Sequence, residues 1–209
     1  FSSRRRHTRS SSDWSSDVCS SDLRNHKSRN QQFLERESRA NQVRRKDISN
    51  LNYISIPDNL PLINSGNETF NQLLSNNSGM MRSYNTITGL KDKKILNLTG
   101  ISNTELKLSY GAANLTELTE YDDNFTTLIK AIASLGHALI DNNDTADALS
   151  FLEYGISIGS DISSNYIDLA IIYAATDRFD DIRKLKEKAG MLKSLSRDNI
   201  IEQLNNMLK

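Results

Sequence analysis

The chain is 209 residues long, balances 26 Lys+Arg against 26 Asp+Glu, and has a mean hydropathy of −0.55. That balance predicts no bulk attraction to nucleic acid. No apolar run reaches the ~18 residues a spanning helix needs; the longest, Ile167–Ala175, is interrupted by Asp168, and a single Cys excludes an internal disulfide.

In chain order, residues 2–23 read SSRRRHTRSSSDWSSDVCSSDL and hold the only Trp, Trp14, and the only Cys, Cys19. A targeting peptide needs an apolar or amphipathic stretch, which is missing here. Ser2 to Arg9 and Asp13 to Leu23 look like the translation of the two constant parts of a short-read sequencing adaptor. Ser10, Ser11 and Ser12 fit the index between those parts. Residues 1–23 are therefore set aside as a disordered scar, and the native chain is expected to start near Arg24 with its own N-terminus replaced. Four cations and three anions lie in 1–23, which leaves 22 Lys+Arg and 23 Asp+Glu in the remainder. Residues 24–47 carry eight of those cations and three of the anions, a basic tail on an acidic domain.

Residues 24–47 predict a polar, basic helix, solvated or lying along a surface, since Phe33, Leu34 and Val43 are its few apolar residues. Residues 48–66 contain Pro57 and Pro61, and each pushes the residue before it toward extended geometry. This segment reads as an extended linker anchored by Tyr53, Ile54, Ile56, Leu60 and Leu62. Residues 67–99 read as helical but broken at NNSG (76–79), with Phe70, Leu73 and Leu74 before the break and Met80 to Leu98 after it. Ser102 and Glu105 have capping-box spacing, with Ile101 and Leu106 placed as a staple and Gly111 as the helix stop. A regular helical domain is expected over 125–209, its helices separated by DNND (141–144) and GSDISSN (159–165) and closed by a helix over 197–208. The irregular segment 67–124 is expected to pack on that domain, burying Ile95, Leu98, Leu106, Leu108 and Tyr110.

Two 34-residue frames start at Ile129 and Ser163. The first puts Leu135, Gly136, Leu139, Ala148, Leu152 and Gly155 at positions 7, 8, 11, 20, 24 and 27. The second puts Tyr166, Leu169, Ala170, Tyr173 and Ala189 at positions 4, 7, 8, 11 and 27, with Ile182 in place of a small residue at 20 and Ser160 in place of Pro at 32 of the first. This pattern resembles the tetratricopeptide repeat, in which small side chains let paired helices approach. The fold expected is all-α: a short tetratricopeptide-like hairpin array with a capping helix, preceded by a basic helix and an extended, proline-containing linker. The run FLERESRANQVRRKDISNLNYISIPDNLP (33–61), with KKILNLTGISNTELKLSYGAANL (93–115) after it, also resembles a bacterial family of unestablished activity with an N-terminal membrane anchor.

The repeat resemblance implies a groove lined by Lys130, Ala133, His137 and Ile140 from one frame and by Ser164, Ile167, Ile171 and Ala174 from the next. Its expected occupant is a protein or peptide; the competing reading is that a neighbouring helix already fills it. His137 lacks the second histidine, cysteine or adjacent serine that a metal or catalytic role would need. DNND lacks the spacing and distal Glu of a calcium loop. No catalytic residue, metal or cofactor is assigned. Arg24, Lys27, Arg29, Arg36, Arg39, Arg44, Arg45 and Lys46 are read as a juxtamembrane strip facing anionic lipid. The function expected is a non-catalytic protein-interaction scaffold on the cytoplasmic face of a membrane, or in the cytoplasm if no anchor precedes Arg24. The alternative is a soluble nucleic-acid-binding or regulatory protein using residues 24–46, which only Phe33 would serve by stacking.

Overall fold

The computed structural model describes residues 16–58, 60 and 68–209, with side chains from Ser28 onward. Leu62, Pro61, and most of the stretch set aside as a scar lie outside the described residues. The described chain is all-helical, with α1 Ser16–Gln42, α2 Glu68–Asn76, α3 Ser78–Gly89, α4 Asn103–Tyr110, α5 Leu115–Asp141, α6 Thr145–Ser157, α7 Ser163–Ala175, α8 Phe179–Gly190 and α9 Arg197–Met207. None of these helices is long and apolar enough to cross a membrane.

Helices α3, α5, α7 and α9 form one layer, and α6 and α8 pack behind it, each joined to its neighbours in the chain by a short turn. The first residues of α6 and α8, Thr145 and Phe179, are 34 residues apart, as are those of α7 and α9, Ser163 and Arg197. The turns are built locally. Asp144 caps α6 by accepting from the Asp147 amide, and Asn143 takes a left-handed φ of 62°. Phe70 of α2 stacks on Phe151 of α6 at 6.3 Å and meets Tyr84 of α3 edge-on at 5.8 Å, which brings the α2–α3 hairpin into the same core.

Close packing rests on missing side chains. A Cβ on Gly136 would lie 2.6 Å from Leu152 Cδ2, and one on Gly155 would lie 2.8 Å from Asn165 Nδ2 and 3.0 Å from Ile132 Cγ2. Ala148, Ala170 and Ala189 are fully buried at the helix crossings, and so is Ile182.

Four sequence expectations differ from the structure. Residues 16–23, set aside as disordered, form the first turns of α1, since they contain no Gly or Pro to break it. The basic helix ends at Gln42 rather than Asp47; residues 43–47 are non-helical and lie against the α4 corner, with Lys46 N donating to Tyr110 O at 3.0 Å. Residues 91–102 form no helix. Their backbone groups bond elsewhere: Ile54 N to Ile95 O, Leu96 N to Tyr121 O and Leu98 N to Asp122 Oδ1. These bonds bury Ile95, Leu96 and Leu98 against α5 without helical geometry. Finally, α5 runs uninterrupted from Leu115, so the boundary expected at 124/125 falls inside a helix, as Leu118 and Phe125 continue one buried stripe.

Several other local expectations are met, although Ile101 of the expected staple is 41% exposed. Ser102 and Glu105 form a reciprocal capping box on α4, and Gly111 caps its C-terminus. Ile54 and Ile56 anchor the extended linker to the main core, and Leu60 is buried. Ile95, Leu98 and Leu106 are buried, while Leu108 and Tyr110 are half-buried.

Candidate functional site

Four of the eight expected groove residues converge. Ala133 and His137 of α5 and Ser164 and Ile167 of α7 line one cavity of about 380 Å³, joined by Asp168 and by Gln203 of α9. The other four stay outside it: Lys130 and Ile171 are exposed, Ile140 and Ala174 half-buried. The groove is narrowed from both sides, as α9 packs against α7 and α3 packs against α5. On the α3 side, Ser83 and Ser134 hydroxyls meet at 3.3 Å. Neighbouring helices thus cover the flanks of the groove and leave its centre open.

The centre holds a partner for His137 that the sequence pattern did not reveal. His137 Nδ1 lies 3.1 Å from Asp168 Oδ2, and its Nε2 lies 3.8 Å from Asp141 Oδ2. The pair bridges α5 and α7 across the floor of the cavity. The Asp168 side chain is only 9% exposed, whereas that of His137 is 61% exposed. Burial pushes the Asp168 carboxyl above its ordinary value, and the His137 ring beside it, through charge and hydrogen bond, opposes that rise. The signal for Asp168 was present in the sequence as the one charge inside the apolar run 167–175. Its partner was hidden because the two residues lie 31 positions apart. No group of three or more His, Cys, Asp or Glu positioned for a metal occurs among the described residues.

Because the fold favours protonated Asp168, that group's contribution is complete below the ordinary carboxylate value and is lost as pH rises through its raised pKa. Asp168→Asn is therefore expected to raise thermal stability at about pH 7 relative to the parent and to leave it unchanged at about pH 3. An equal drop at both pH values in a melting series would show that the carboxylate is required for packing.

The basic segment is spent differently from the expected lipid-facing strip. Arg36 pairs with Glu105 at 3.5 Å; Arg45 donates to Asn114 Oδ1 at 2.8 Å and pairs with Glu117 at 2.5 Å; Lys46 Nζ donates to Ser109 O at 2.7 Å. Glu37 of the same helix pairs with Lys107 and accepts from the Thr104 hydroxyl, which holds its carboxyl below the ordinary value. Arg29, Arg39 and Arg44 are exposed, with no such partner among the described residues, and the side chains of Arg24 and Lys27 lie outside the described residues. α1 is therefore docked on α4 through charge pairs and the fully buried Ala40.

A second polar cluster lies behind the groove. Tyr173 of α7 donates to Glu153 Oε1 at 2.7 Å, and the Arg178 guanidinium stacks 4.3 Å from the Tyr173 ring while bonding Asp181 at 2.7 Å. These contacts tie α6, α7 and α8 together on the face away from His137. No family model, curated protein or solved structure matches this chain.

Proposed function

We propose that the protein is a non-catalytic interaction scaffold whose helical array receives a segment of another protein. The observation that carries this reading is the convergence of Ala133, His137, Ser164 and Ile167, from two successive helices of one layer, on one open cavity. The 34-residue recurrence of helix starts and the close approaches at Gly136 and Gly155 support a tetratricopeptide-like array. A scaffold reading also fits the chemistry present: the His137 ring is engaged by carboxylates, and no serine hydroxyl hydrogen-bonds to it among the described residues. The nucleic-acid alternative draws less support, because Arg36, Arg45 and Lys46 are already paired within the chain. Tethering to a membrane remains part of the proposal through exposed Arg29, Arg39 and Arg44.

The test uses the full chain as bait in its native host. Ser164→Arg places a bulky cation in the groove from an exposed position, and Ile167→Asp places a charge on its half-buried wall. Both are expected to abolish capture of a partner that the parent retains. Arg183→Glu on the exposed face of α8 is expected to leave capture intact. A partner that survives Ser164→Arg, with the variant folded by circular dichroism, would place the interaction elsewhere.

A further inference from the structure

A larger cavity, about 840 Å³, lies away from the His137 groove. Its walls come from the extended segment around Ile54, the irregular run 96–101, the α6–α7 turn and the chain leaving α8. The volume falls in the range of small-molecule sites, about 300–1,000 Å³. One wall is branched aliphatic, with Ile54, Leu96, Leu98, Ile156 and Leu192, and Met191 stands 73% exposed beside them. Two of the bounding turns use glycines with positive φ, Gly100 at 81° and Gly159 at 85°. A Cβ on Gly100 would sit 3.2 Å from Lys193 Cβ, so the bare glycine lets the Lys193 stem lie against this turn.

Polar side chains share the lining, among them Asn97 and Ser157, which are hydrogen-bonded within the chain. Neither the Lys188 nor the Lys193 ammonium has a hydrogen bond or ion pair among the described residues, and Asp161 is the single acid in the lining, which therefore carries a net positive charge. Tyr166 is 1% exposed, lines the cavity, and has a hydroxyl with no hydrogen-bond partner among the described residues. Burial and the Asp161 charge raise its pKa to about 12, which keeps it a neutral donor. The arginines and amide side chains that a nucleotide or sugar would call for are scarce; Asn97, the best placed, is occupied with Thr99 N and the Ile158 and Gly159 carbonyls.

We propose that this cavity binds an aliphatic carboxylate of the fatty-acid type, its chain on the aliphatic wall and its head at Lys188 and Lys193. The lysines supply point charges for the carboxylate, and the Tyr166 hydroxyl supplies a donor within the wall. The cavity is formed by the N-terminal extended runs packed on the helical array, so occupancy would stiffen that junction.

The full chain is titrated calorimetrically with dodecanoate below its micelle concentration, with acetate as the head alone and dodecyltrimethylammonium as the chain with opposite charge. Saturable 1:1 binding of dodecanoate is expected, with both controls at least about tenfold weaker. The exposed-lysine double variant Lys188→Glu/Lys193→Glu should weaken dodecanoate by at least about tenfold while leaving the helical spectrum unchanged. Ser157→Trp, which enters the cavity from an exposed position, should abolish the signal. The absence of saturable dodecanoate binding, equal binding of the cationic amphiphile, or undiminished affinity in the double variant would overturn the proposal.

Discussion

Gly111→Ala is expected to lower stability by about 3 kcal/mol and to loosen the docked segment 43–47. Gly111 sits at φ 94°, ψ 144°, a region open in practice to glycine alone, where a side chain costs ~1–3 kcal/mol. Space is also lacking, because a Cβ would fall 2.3 Å from Arg44 O and 2.9 Å from Arg45 Cα, both backbone atoms. Relief requires the 44–45 backbone to move, and that segment is held by Lys46 N to Tyr110 O at 3.0 Å, Asn114 Nδ2 to Lys46 O at 2.7 Å and Arg45 Nε to Asn114 Oδ1 at 2.8 Å. Each such bond contributes ~1 kcal/mol. Asn114 is fully buried, so losing its partners leaves a polar group unsatisfied. Urea unfolding gives the stability change, and hydrogen exchange at the Lys46 amide reports the local release. A change below ~1 kcal/mol with Lys46 still protected would mean that the corner tolerates a side chain, and that α1 is fixed by its ion pairs instead.

The same corner shows what the sequence can and cannot disclose. The Ser102–Glu105 box and the Gly111 stop were legible because every group involved lies within a few residues, so residue type and spacing carry the physics. The helix crossings were legible for a related reason: Gly136, Ala148, Gly155, Ala170 and Ala189 recur in a frame, and a small residue on an apolar stripe implies a close neighbour. The docking of α1 was not legible. Its surface is polar whether solvated or paired, and only the fold shows that Glu37 meets Lys107 and Arg36 meets Glu105. Ile95 and Leu98 misled the helical reading because burial from an extended run and burial from a helix can leave similar short apolar spacings. The groove divides along the same line. Ala133, His137, Ser164 and Ile167 follow from the groove positions that the repeat resemblance implies, whereas Asp168, Gln203 and the flanking α3 and α9 are facts of tertiary packing.

The crossing of α5 and α6 makes a quantitative claim that a mutant cycle can decide. Gly136→Val is expected to cost about 3 kcal/mol, because its Cβ would lie 2.6 Å from Cδ2 and 2.8 Å from Cγ of Leu152, far inside a normal carbon contact of ~3.5–4.0 Å. Leu152 has no exposed surface into which it could swing. Leu152→Ala alone removes buried methyl groups and leaves a void, at ~2–5 kcal/mol. If Gly136 is there to admit Leu152, the two changes compensate, since the valine methyls enter the space the leucine vacates. The double variant is then expected to cost less than the sum of the singles by at least about 1.5 kcal/mol, within the range seen for residues in contact. Additivity within ~0.5 kcal/mol, measured by urea unfolding of all four proteins, would show that backbone rigidity at the crossing, rather than side-chain fit, sets the approach of the helices. Coupling would mean that the glycine and leucine form one packing unit.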